Sequence, residues 1–290
     1  MKYDIEFLYY CIDEFCKIYE EWERSRLISS PSKKRHRDCK LSLSELLTIM
    51  ICYHLSGYKC FKYFYLYDIC GKHKDKFPHL LSYNRFVQLM PRLLMPLHTL
   101  FHTLTGEKTG IYFMDATHLG VCHNRRINRN KVFKGLAMRG KSTMGWFFGF
   151  KLHILINNKG QIMAAKITRG NVNDRNPVAD LTKDLQGIVA ADKGYLSKEL
   201  FTKLYKQGLK LLTGIRKDMK NYLMPVYDKI ILRKRFLVET VFEKLKCGLN
   251  IDHTRHRSPE NALINWLSAI VAYQTLTNKP ALKSFILIQN

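Results

Sequence analysis

The spacing of apolar residues changes once along this 290-residue chain, near Gly110, and that change limits the fold to a helical stretch followed by a mixed one. Upstream, Ile5, Leu8, Tyr9, Ile12, Phe15, Cys16, Tyr19 and Trp22 recur at helical spacing, so the chain opens on an amphipathic helix. A second helix starts at a capping box, Ser42 followed three residues on by Glu45, ahead of Leu46, Leu47, Ile49, Met50 and Ile51. Only helices are expected from there to about Leu104. Within them, Ser82 to Met90 offers an N-cap and then polar residues interleaved with apolar ones. The pattern suits the recognition helix of a helix-turn-helix and equally any small helical bundle.

Downstream of Gly110, residues 111–114, 146–156, 161–168, 188–191 and 210–215 read as strands. Asn157-Asn158-Lys159-Gly160 joins the second to the third as a hairpin. Helices are expected over 174–185, 198–207 and 235–249, and from 259 to about 276. Strand, hairpin, helix, strand, helix, strand, helix is a mixed α/β order. The expected division is a helical N-terminal domain over 1–108, an α/β domain over 109–278 and a tail over 279–290. A hydrophobic content of 46% is enough for substantial cores.

Charge narrows the partners. Forty-eight Lys and Arg against 24 Asp and Glu make a formal +24, and residues 1–23 are themselves net −5, which leaves +29 for the rest. Such an excess, locally clustered, points to a polyanion with a phosphate backbone. Ser29 to Arg37 has the composition of a basic arm or a solvated loop. The longest cluster lies between 121 and 144 and holds Arg125, Arg126, Arg129, Lys131, Lys134, Arg139 and Lys141, an excursion well placed to grip DNA. The eight cysteines (Cys11, Cys16, Cys39, Cys52, Cys60, Cys70, Cys122, Cys247) never form a Cys-x-x-Cys pair, so they read as thiols of a reducing cytoplasm. Acidic Asp4 and Glu6 stand where a signal peptide is basic, and no apolar run reaches the roughly 18 residues of a membrane span. A cytoplasmic protein with no membrane partner is expected.

Two carboxylates close apolar strands, Asp115 after Ile111 to Met114 and Asp192 after Ile188 to Ala191. Each could cap the following turn, or bind a ligand at the strand end, where ligands of open α/β sheets collect. A third, Glu239, shares with Arg235, Glu243 and Lys246 roughly an 80° arc of one helix. Gly135-Leu136-Ala137-Met138-Arg139-Gly140-Lys141-Ser142 satisfies the phosphate-loop consensus literally. A working phosphate loop needs a strand before it and a helix after it, and an aromatic strand follows instead, so nucleotide binding is rejected.

With Met114-Asp115-Ala116-Thr117, Ala191-Asp192-Lys193-Gly194-Tyr195 and Arg235-x3-Glu239-x6-Lys246, the chain resembles the DDE-type transposases of bacterial insertion sequences, and among them the group called nine-eighty-two. The similarity runs from Leu41, through Leu55-Ser56-Gly57 and Gly145 to His153, to about Leu276. Related groups carry a tyrosine three positions before the arginine; here that place is Leu232.

The resemblance implies an RNase H-like mixed sheet flanked by helices, with Asp115, Asp192 and Glu239 as catalytic and metal-binding residues and Glu243 as the alternative third acid. Hard carboxylate oxygens suit two Mg²⁺ or Mn²⁺ ions, and such a pair can serve both sides of a phosphodiester exchange. Lys193, Arg216, Arg235 and Lys246 are expected along the DNA backbone beside the site, and Asp174 as the N-cap of the helix after the third strand. Implied partners are double-stranded element ends and target DNA, and the pairing of two ends fits a homodimer. A metal-dependent nuclease that does not join strands, and a DNA-binding regulator with a decayed core, are the rivals.

Overall fold

The computed structural model describes residues 3–26, 39–143, 145–215, 223–252 and 256–282. The Ser29–Arg37 stretch and Arg216 lie outside them. The chain forms two compact units, one of residues 1–104 with 245–275, the other of 105–244 with 276–290.

The first unit is helical. Helix α1 (Ile5–Arg26) buries Ile5, Leu8, Ile12, Cys16 and Tyr19. In α2 (Leu43–Leu55) the expected capping box forms: the Ser42 hydroxyl accepts from Glu45 N, and the Glu45 carboxylate accepts from Ser42 N at 2.6 Å. A turn of α-helix, α3 (Phe61–Tyr63), widens into a π-helical stretch, Phe64–Lys72. Then follow α4 (Tyr83–Leu89), capped by Ser82, and α5 (Leu94–Thr103). At seven residues α4 is short, and it buries Phe86 and Leu89 within an aromatic cluster of Tyr53, Phe61, Tyr65 and Tyr83.

The last long helix, α10 (Pro259–Thr275), packs on α2 and α5 and so belongs to this unit, whereas the sequence pattern groups it with the strands. Helical spacing marks the apolar face of α10 but not which partner covers it. One tie is specific: the fully buried His54 ring meets Leu249 O at 2.6 Å and Ser268 Oγ at 2.9 Å.

The second unit holds six strands: β1 (Ile111–Cys122), β2 (Met138–Ser142), β3 (Gly145–Asn157), β4 (Ile162–Arg169), β5 (Gly187–Ala191) and β6 (Leu209–Thr213). Their order is β4-β3-β1-β5-β6, with β2 beside the first half of β3. β1, β3 and β4 are antiparallel and β5 and β6 run parallel to β1, the RNase H-like arrangement that the resemblance implies. The β3–β4 hairpin closes as expected: Asn157 Oδ1 accepts from the backbone N–H of Lys159 and Gln161, and Gly160 takes a φ of +69°.

Helices cover both faces. On one side α6 (Val178–Leu181) and α7 (Lys198–Lys206) pack with Tyr112, Met114, Leu155, Val189 and Ala191. On the other lie α8 (Val226–Arg233) and α9 (Phe236–Glu243). The helix expected over 174–185 shrinks to the four residues of α6, because Pro177 precedes it and Asp184 adopts a left-handed φ of 59°. Helix α8 and strand β2 escape the periodicity reading. β2 alternates exposed charges around a buried glycine, with no apolar face to betray it.

Candidate active site

Asp115 stands mid-strand, not at a strand end. β1 runs on to Cys122, because β3 continues to pair with it after β5 has stopped. Pairing between β1 and β5 ends at Phe113 opposite Ala190, and two more residues in the same register bring Asp115 level with Asp192. Neighbouring strands lie about 4.8 Å apart, and residues two steps on keep the same face, so both aspartates share the α9 side of the sheet. Asp192 opens a short turn, Lys193–Tyr195, yet its side chain makes no capping bond. Turn capping therefore accounts for neither acid.

Arg235, at the start of α9, donates Nη1 to Asp115 Oδ2 at 3.2 Å and Nη2 to Glu239 Oε1 at 2.8 Å. The i,i+4 spacing on a helix makes the second bond local; the first spans 120 residues of chain. Asp115 Oδ1 also accepts from Ala116 N at 2.8 Å. Burial still raises the Asp115 carboxyl to about 6, and the charges of Asp192 and Glu239 add to the rise against the help of Arg235 and the Ala116 N–H. Tyr195, buried behind the turn, is pushed up by burial and by Asp115, Asp174 and Asp192.

Glu239, and not Glu243, shares the arginine with Asp115. Glu243 is exposed at the end of α9. Lys246 lies beyond α9, in the π-helical turn Lys244–Gly248, where 100° per residue does not hold. Lys246 belongs to the first unit, its ammonium 3.6 Å from Asp252. The other expected cations divide. Lys193 is exposed, its aliphatic chain against Gly214 after β6. Arg235 is engaged by carboxylates.

The basic excursion is built rather than loose. Arg125, Arg126 and Arg129 ride on a 3₁₀ turn, Asn124–Arg129, and Lys131 and Lys134 on the turns after it. Arg139 and Lys141 extend from β2. All seven are exposed, and buried Phe133, edge-on to Phe150 at 5.8 Å, pins the segment down. The phosphate-loop lookalike spans a turn and β2, with no helix after it.

Asp174 caps no helix, since Pro177 holds that place; instead it accepts from Lys151 Nζ at 2.8 Å. Arg175, to which no role of its own is assigned from sequence, donates Nε to Gly194 O at 2.8 Å and so fastens the turn that carries Asp192.

Among the described residues no three His, Cys, Asp or Glu gather closely enough to hold a metal as the side chains stand. The donor set nevertheless fits one. Asp115, Asp192 and Glu239 offer only hard oxygens, and the other two acids add to the charge burden at Asp115, which is half-buried and offset only in part by Arg235. A divalent cation there would relieve the same burden.

A family model described as a transposase DDE domain matches residues 105–259, more than half of the chain. Among solved structures the chain is similar to a piggyBac transposase synaptic complex with hairpin DNA, at 11% identity and a TM-score of 0.48 over 94% of this chain and 74% of that one. It is also similar to the Mos1 strand transfer complex, at 9% identity and a TM-score of 0.24 over 88% and 84%. No curated protein matches the sequence. The match over residues 105–259 takes in all six strands and all three carboxylates, and the chain belongs to the transposase DDE domain family.

Proposed function

We propose that the chain cuts DNA at the ends of an insertion sequence of the nine-eighty-two group, in the bacterial cytoplasm, and joins the freed 3′-hydroxyls to target DNA. One observation carries the reading: in a transposase DDE domain, Asp115 shares a guanidinium with Glu239 and lies one strand from Asp192. Asp115, Asp192 and Glu239 would hold two Mg²⁺ or Mn²⁺ ions, which supply Lewis acidity to the attacking and leaving oxygens when bound.

The residues of the chain do the rest. Arg235 keeps Asp115 and Glu239 turned toward one point and balances part of their charge. Arg175 holds the turn of Asp192 in place. The exposed cations of the 121–144 excursion, with Lys193, bind backbone phosphates of element ends and target. In the first step a water oxygen bonds to phosphorus and the 3′-oxygen leaves as a hydroxyl. In the second that hydroxyl attacks a target phosphodiester and releases a target 3′-hydroxyl. One phosphodiester replaces another, so no nucleotide is consumed, in keeping with the rejected phosphate loop. Two ends must meet, which favours a homodimer, and the helical unit is assigned to the terminal repeat.

Replacing Asp115, Asp192 or Glu239 by Ala is expected to lower end cleavage by on the order of 10²-fold or more while end binding persists, and Glu243→Ala is expected to cleave normally. Loss of binding together with cleavage would make the acids structural and overturn the assignment. A pre-cut end with a free 3′-hydroxyl separates strand transfer from simple nuclease action.

A further inference from the structure

Beside the carboxylates, the same unit carries a second feature that the cleavage chemistry does not use. Trp146, near the start of β3, is 53% exposed although it is the largest apolar side chain of its strand. Lys141 stands opposite it in register, and the Arg139 guanidinium and Lys141 ammonium lie 5.0 and 5.8 Å from the centre of its ring. Among the described residues neither cation has a carboxylate partner. The ring borders a cavity of about 400 Å³ whose far wall is the loop from Gly170 to Asp174.

Two glycines create that wall. A Cβ on Gly140 would come within 2.2 Å of Gly170 O, so a side chain there would drive the loop away from β2. Lys151 Nζ then ties the loop down through Val172 O at 3.0 Å and Asp174 Oδ1 at 2.8 Å, which also neutralises the one acid of the wall. Besides Lys151 and Asp174, which pair with each other, the cavity is lined by the Trp146 indole, by Arg139 and Lys141, and by Asn171 and Asn173 of the loop. Ligand cavities span about 300 to 1,000 Å³, and this one suits something of nucleotide size. A flat apolar ring beside unpaired cations matches a base stacked next to its own phosphate, a combination that no small inorganic anion would need.

We infer that the cavity between β2, Trp146 and the 170–174 loop receives one unpaired nucleotide of the DNA, the base stacking on Trp146 while Arg139 and Lys141 turn to its flanking phosphates. The inference rests on the reading of the chain as a DNA-processing transposase and adds to it a preference for DNA with an unstacked base. A base inside an intact duplex already stacks on its neighbours and cannot enter.

The test uses the full-length protein in EDTA and two duplexes of the same sequence, one fully paired and one with a single bulged 2-aminopurine. The wild type is expected to bind the bulged duplex about tenfold more tightly and to quench 2-aminopurine emission. Trp146→Ala should bring the ratio close to one, and Trp146→Phe should keep most of it. An unquenched probe on the wild type, or an unchanged ratio in a folded Trp146→Ala protein, overturns the inference. If the wild type nicks DNA with Mg²⁺ yet shows either result, the inference fails alone; if it neither binds nor nicks DNA, the transposase reading fails with it.

Discussion

Asp115 is a carboxylate whose surroundings favour its neutral form. Its carboxyl rises from an ordinary value near 3.8 to about 6, chiefly through burial. The folded state therefore holds the proton more tightly than the unfolded one. The stability this group contributes is complete below about 3.8 and is lost as pH rises through about 6. The gap is worth about 3 kcal/mol. Asp115→Asn removes the titration, so in metal-free buffer its stability relative to wild type should improve by about that amount between pH 3.5 and 7. Urea denaturation at a series of pH values reads this directly, and a pH-independent difference would count against the burial argument. The two aspartates were readable from sequence because each ends an apolar run. Arg235 was readable beside them as a cation for the DNA backbone, but its bond to Asp115 was not, since nothing local marks a contact across 120 residues.

At the scale of elements, regular patterns translated well and irregular ones did not. The capping box, the β3–β4 hairpin and the parallel strands β5 and β6 follow from local chemistry: a side chain within reach of its own backbone, or an apolar run bounded by turn residues. β2 depends on backbone approach. Gly140 is buried with Phe147 and Gly170 O where a Cβ would sit, at 2.7 and 2.2 Å. Gly140→Ala is thus expected to cost about 1 to 3 kcal/mol and to loosen the 170–174 loop, visible as a lower Tm and faster amide exchange around Arg139 to Lys141. The π-helical turn after α9 is irregular in the same sense: Lys246 lies in it, where a spacing of 100° per residue does not apply.

At the scale of the molecule, the helical unit is discontinuous in sequence. α10 buries Ile264, Trp266, Ile270, Val271 and Tyr273, and its partners α2 and α5 lie more than 150 residues earlier. Residues 1–104 alone would leave the α2 and α5 surfaces bare. That fragment is expected to be aggregation-prone or molten, with far-UV helicity but no cooperative melt, and addition of residues 245–275 should restore one.

Sequence alone settled whatever rests on contacts within a few residues or on bulk charge: helices before Gly110, strands after it, hairpin and cap positions, a strongly basic surface, and the carboxylates worth watching. Folding decided the matters that join distant stretches. Pairing with β3 carries β1 past Asp115, Arg235 reaches Asp115 across the sheet, α10 returns to the first unit, and two glycines let β2 and the 170–174 loop close on a cavity. Each of these depends on which surfaces exclude water from one another, and periodicity identifies an apolar face without naming the partner that covers it.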